Sequence, residues 1–182
     1  MNPKSKTILK ILKLIFQLAI VLTLISEVIL LIIFFTQLFN SNGEPFGSLQ
    51  TDIHVLGIKI NNIQNLVGAE FYISVLFTII LATLLIYIFN TVLKLLKNVE
   101  KKVHFSSENE KLIFKISSLS ASIALISMIM DFIINLYKGN FKLSLDFGNE
   151  NIQLLIFSGI IYIIGNVYQN AVQLQTENDL TI

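Results

Sequence analysis

Four apolar runs constrain this chain more than anything else in it. They cover residues 14–39, 71–93, 116–137 and 152–172, and Glu27 and Asp131 are the only charged side chains inside them. About 20 apolar residues suffice for a helix to cross the hydrocarbon core of a bilayer. A soluble helix that buries one stripe shows a polar face every 3.6 residues, and these runs do not. Charged residues make up 14% of the composition, against about 25% in soluble domains. The expected fold is an all-α membrane protein, a single four-transmembrane-helix bundle.

The first run follows Lys4, Lys6, Lys10 and Lys13, as a signal peptide would. A signal peptide has an apolar core of about 7–15 residues. This run of 26 is much longer and is expected to stay attached.

Lysine placement orients the spans. Four Lys precede the first span and six lie in the loop 94–115: Lys94, Lys97, Lys101, Lys102, Lys111 and Lys115. The loops 40–70 and 138–151 hold only Lys59, Lys138 and Lys142. The positive-inside rule then places both termini in the cytoplasm. All 13 basic residues are Lys, and with the many Ile and Asn this hints at an A/T-rich bacterial genome. The expected location is the bacterial cell membrane.

The two outer loops carry strand patterns. Phe141 to Phe147 alternates apolar and polar residues, as a half-buried strand does. In 40–70, Leu49, Thr51, Ile53 and Val55 share one phase, while Leu56, Ile58 and Ile60 take the other. A switch beside Gly57 fits a bulge or tight turn. Together the loops predict a small extracellular β-sheet capping the bundle. On the inner side, Ser107-Glu108-Asn109-Glu110 fits a capping box that starts the third helix in the cytoplasm.

Polar residues recur at helical spacing within the spans. The third carries Ser117, Ser120, Ser127, Asp131 and Asn135; the fourth carries Tyr162, Asn166 and Asn170. Such residues face the bundle interior and glue helices together. Glu27, Asp131, Asn135, Ser127, Tyr162 and Asn166 are the candidate intramembrane seam. Counting equal depth on antiparallel neighbours places Thr83, Tyr87, Ser158 and Tyr162 near Glu27. A bare charge at that depth is disfavoured by several kcal/mol, so Glu27 is expected to be neutral and hydrogen-bonded across the bundle.

Several chemistries are excluded or unsupported. With no Cys there are no disulfides, thiolate metal sites or Cys nucleophiles. His54 and His104 stand alone, and no nucleophile–base pair, phosphate loop or metal-ligand spacing appears. The chain is therefore read as a non-enzyme, with no cofactor or metal. A net charge of +1 argues against direct nucleic-acid binding.

Two stretches carry a resemblance. Phe105-Ser106-Ser107-Glu108-Asn109-Glu110-Lys111-Leu112 resembles a "PF-S-x-E-N-x-x-x-L" element, with His104 where Pro would precede the Phe. Leu174 to Ile182 resembles an "L-x-x-E-N-D-L-T-I" ending. With the span layout, they resemble a family of uncharacterised small bacterial membrane proteins, catalogued as a domain of unknown function. Its members are often encoded beside a short Cro/CI-type helix-turn-helix regulator. The resemblance implies a membrane regulatory or sensory component whose partners are the bilayer and a small cytoplasmic transcriptional regulator. The acidic tail Glu177, Asn178, Asp179, Leu180, Thr181 and Ile182 is the candidate docking segment for that regulator, and a homo-oligomer is compatible with the same layout. Two other readings stand beside it. One is an immunity protein against a membrane-active peptide; the other is a small proton-coupled transporter using Glu27.

Overall fold

The computed structural model describes residues 3–39, 53–55, 58–60, 69–101, 105–137 and 150–179. Its helices are α1 (Pro3–Phe39), α2 (Ala69–Glu100), α3 (Ser107–Tyr137) and α4 (Glu150–Asp179). All four are long and apolar enough to cross a membrane, and the chain reads as a multi-pass membrane protein.

Each helix outruns its apolar run. The 37 residues of α1 extend about 55 Å at 1.5 Å per residue, against a hydrocarbon core of about 30 Å. The excess lies mainly at the lysine-rich end. There the expected loop 94–115 is largely helix: Lys94–Glu100 complete α2, and Ser107–Lys115 open α3. Lys, Leu and Glu all favour helix, so propagation continues past the bilayer at little cost. In α4, Gln173, Leu174 and Gln175 carry the helix beyond Val172, and it runs to Asp179. The tail is therefore helical up to that point, and 180–182 lie outside the described residues.

The cap of the bundle from both outer loops is not supported. The described residues contain one antiparallel pair, β1 (Ile53–Val55) with β2 (Ile58–Ile60), in which Val55 pairs Ile58. Residues 56 and 57, the expected site of a bulge or tight turn, lie outside the described residues. The patterned segment 141–147 lies outside the described residues. A three-residue strand pair has too little apolar face to cover four helices.

The bundle packs in chain order: α1 on α2, α2 on α3 and α3 on α4. Along α1, Leu9, Phe16, Thr23, Leu30 and Gln37 recur every seven residues on the covered side. That 3.5-residue period is the seam of a left-handed antiparallel pair. Lys13 with Glu100, Phe16 with Phe89 and Phe34 with Tyr72 mark its register from one end to the other. The remaining sides of α1 expose Leu14, Leu18, Val21, Ile25, Val28 and Ile32, as lipid contact requires. Between α2 and α3 the core is Leu81, Leu85, Ile123 and Met130.

Candidate functional site

Within the first apolar run, Glu27 is half-buried on the α1–α2 seam. Its Oε1 lies 3.1 Å from Thr83 Oγ1, which also lies 2.9 Å from the Ile79 carbonyl one turn earlier on α2. Thr83 is thus the partner that depth counting anticipated. Ser158 and Tyr162 are placed elsewhere. Ser158 is buried, and its carbonyl accepts from Ser117 Oγ of α3 at 2.9 Å. Tyr162 packs its ring 5.4 Å from that of Phe114 and remains 54% exposed. Equal-depth counting assumed that α4 crosses as fully as the other helices. Instead, its first turn stands level with Asp131, six residues short of the end of α3 at Tyr137.

Asp131 is held by that first turn: Asn151 Nδ2 donates to Asp131 Oδ2 at 3.0 Å, and Asn151 is buried. The two membrane carboxyls therefore have separate partners on separate helix pairs. Ser117, Ser120 and Ser127 all lie on the buried face of α3, and Asn135 is half-buried two turns beyond Ser127. Asn166 is half-buried and donates from Nδ2 to the Tyr162 carbonyl of its own helix. Of the expected seam, Glu27 and Asp131 each meet a polar side chain of another helix, whereas the Asn166 amide bonds within its own helix. Among the described residues no group of three or more His, Asp or Glu could hold a metal ion.

The lysine-rich end is more tightly knit than the sequence suggested. Ser106, not Ser107, caps α3: its Oγ accepts from Asn109 N at 3.2 Å, and its carbonyl accepts from Glu110 N at 3.1 Å. Starting the helix one residue earlier puts Asn109 in the third helical position and turns it inward. Asn109 is 1% exposed, and its Oδ1 accepts from Asn98 Nδ2 of α2 at 2.8 Å. Ser106 N donates to the Tyr168 hydroxyl of α4 at 3.3 Å, while the Phe105 ring packs on that of Tyr168. The Phe-Ser-Ser-Glu-Asn stretch is thus a three-helix clamp. Sequence reading missed Asn98, Asn151 and Tyr168 because a polar residue near a helix end looks like ordinary solvated surface. The spacing of Asn98 and Asn109 across a short turn was the available signal.

Beyond the clamp, Lys13 Nζ pairs with Glu100. That hydrogen bond and the lysine charge hold the Glu100 carboxyl below the usual carboxylate range. Tyr168 is level with the α2–α3 turn, so the 11 residues from Gln169 to Asp179 continue about 16 Å past it. Glu177 and Asn178 are exposed on this arm, as is Leu174 at 66%.

No curated protein and no solved structure matches the chain. A family model does match, over residues 55–182. That stretch takes in β2, α2 and its clamp to α3 and α4, and the acidic arm. The chain belongs to the family described as "Protein of unknown function (DUF2975)".

Proposed function

We propose that this protein is a membrane regulatory or sensory component, both termini cytoplasmic, that engages a small helix-turn-helix regulator at its lysine-rich end. The α4 arm carries the reading. It continues as helix past the bilayer, exposes Glu177 and Asn178 beside Leu174, and is braced at its root by the Tyr168 clamp. A DNA-binding domain presents a basic surface, to which an acidic arm is complementary. Occupying that surface would withhold the regulator from phosphate-backbone contacts. The motif resemblance, which implies a neighbouring regulator of this kind, supplies the partner class by analogy. Capture of cytoplasmic proteins on full-length protein and on a variant lacking 176–182 tests it. The regulator is expected only on the full chain, and an identical partner set on both rejects the reading.

A second reading is favoured by one observation. Glu27 meets Thr83, a residue on an exposed face of α2, and a membrane carboxyl open to exchange can couple protons to transport. Proton-dependent flux in proteoliposomes that disappears in Glu27→Ala would select it over the first.

A further inference from the structure

One face of α2 is polar where lipid chains should meet it. Thr83, Tyr87, Asn90, Lys94 and Lys97 are spaced by four, three, four and three, and all five are exposed. They form one stripe running from the lysine-rich end to the level of Glu27, and Tyr87 is 55% exposed. From Lys94 to Thr83 it descends about 16 Å at 1.5 Å per residue. Further along, the same stripe becomes Ile80 and Leu76, both exposed and apolar. The polar track thus stops where Glu27 begins.

Its flanks are open. Phe16 and Glu27 place α1 on one side of α2, Asn109 and the Ile123–Met130 core place α3 on the other, and α1 and α3 each pack on α2 without packing substantially on each other. Lys115 reaches in from α3, its Nζ 5.8 Å from the centroid of the Tyr87 ring. Neither Lys94 nor Lys115 has a carboxylate within ion-pair reach among the described residues.

We infer that this track binds the phosphate headgroup of a phospholipid drawn in from the leaflet on the lysine-rich side, with Lys94 and Lys115 as the phosphate-binding cations. Acyl chains alone would leave a tyrosine hydroxyl and an amide short of partners in hydrocarbon, with two ammonium groups uncompensated at its edge. A second copy docked symmetrically would set the same lysines against each other, because an isologous interface repeats one patch on both partners. A phosphate answers both difficulties: Lys binds it as a point charge, and the lipid tails stay in the bilayer. Asn90 donates one Nδ2 hydrogen to the Ile86 carbonyl and keeps its second hydrogen for a phosphate oxygen and its carbonyl to accept from a headgroup hydroxyl.

The test uses full-length protein in mild detergent and native mass spectrometry with dioleoylphosphatidylglycerol and, as the phosphate-free probe, dioleoylglycerol. Wild type is expected to retain the phospholipid and not the diacylglycerol. K94Q/K115Q should weaken binding at least tenfold, K94R/K115R should restore it, and K4Q/K6Q, on α1 and outside the track, should change it less than twofold. Matching unfolding temperatures for the three pairs separate binding from folding. Equal losses in both glutamine pairs would reduce the effect to general basicity and overturn the inference. So would displacement by millimolar inorganic phosphate, which would make the site one for a free anion. Efficient disulfide formation between copies of Asn90→Cys in membranes would hand the face to a second chain.

Discussion

At the residue scale, the contact of Glu27 with Thr83 decides how an acidic side chain is tolerated in lipid. The Thr83 hydroxyl has one proton and two oxygens within reach, Ile79 O at 2.9 Å and Glu27 Oε1 at 3.1 Å. A glutamine at 27 keeps both a donor and an acceptor in that place, whereas alanine removes both. Glu27→Gln should therefore unfold in detergent at the wild-type temperature. Glu27→Ala should lose on the order of 1 kcal/mol, since interhelical hydrogen bonds in membranes average about 0.6 kcal/mol. A glutamine variant less stable than the alanine one would show that the residue serves through its charge instead. Glu27 was legible in the sequence because it interrupts an apolar run. Its neighbours were only half legible, because depth counting is blind to the offset of a partner helix.

Single elements are decided by close approach. A Cβ at Gly165 of α4 would stand 2.9, 3.1 and 3.2 Å from three atoms of the Phe114 ring on α3, while one at Gly159 would meet nothing within 4 Å. Gly165→Ala must displace the ring, at about 1–3 kcal/mol for an overpacked contact. Gly159→Ala meets no obstacle and gains up to about 1 kcal/mol of helix propensity. Opposite signs for the two glycines, read from thermal unfolding in one detergent, are the expected outcome; equal signs would contradict the α3–α4 register. The two positions are alike in sequence, each a lone Gly among Ile and polar residues. Only the approach of Phe114 tells them apart. The cap of α3 makes the same point, since "Ser-Ser" offers two candidate caps and the inward turn of Asn109 towards Asn98 selects Ser106.

For the whole molecule, the organising fact is packing in chain order, with α1 leaning on α2 and α4 on α3. The lack of native Cys makes orientation directly measurable by single-Cys labelling with an impermeant reagent on intact cells. A Cys at Asn42 or Gly139 should react, and one at Lys101 or Asn178 should react only after the cells are opened. Lys101 is preferred to Asn98 for this purpose because Asn98 partners the buried Asn109. Labelling of Asn178→Cys in intact cells would invert the topology. It would also remove the regulator reading, which requires the α4 arm to be cytoplasmic.

By itself the sequence determined the medium and the element count. Transfer of side chains from water to hydrocarbon sums along the chain, so four long apolar runs declare four helices whatever their mutual arrangement. Lysine bias adds an expected orientation by the same local arithmetic. Which polar groups meet is a different kind of quantity. It depends on the rotation of each helix about its axis and on its offset along the membrane normal. A shift of a few residues takes Ser158 from the level of Glu27 to a bond with Ser117. Tertiary structure alone therefore decided that Glu27 and Asp131 have separate partners, that the Phe105–Asn109 stretch clamps three helices, and that a polar face of α2 lies open beside Lys115.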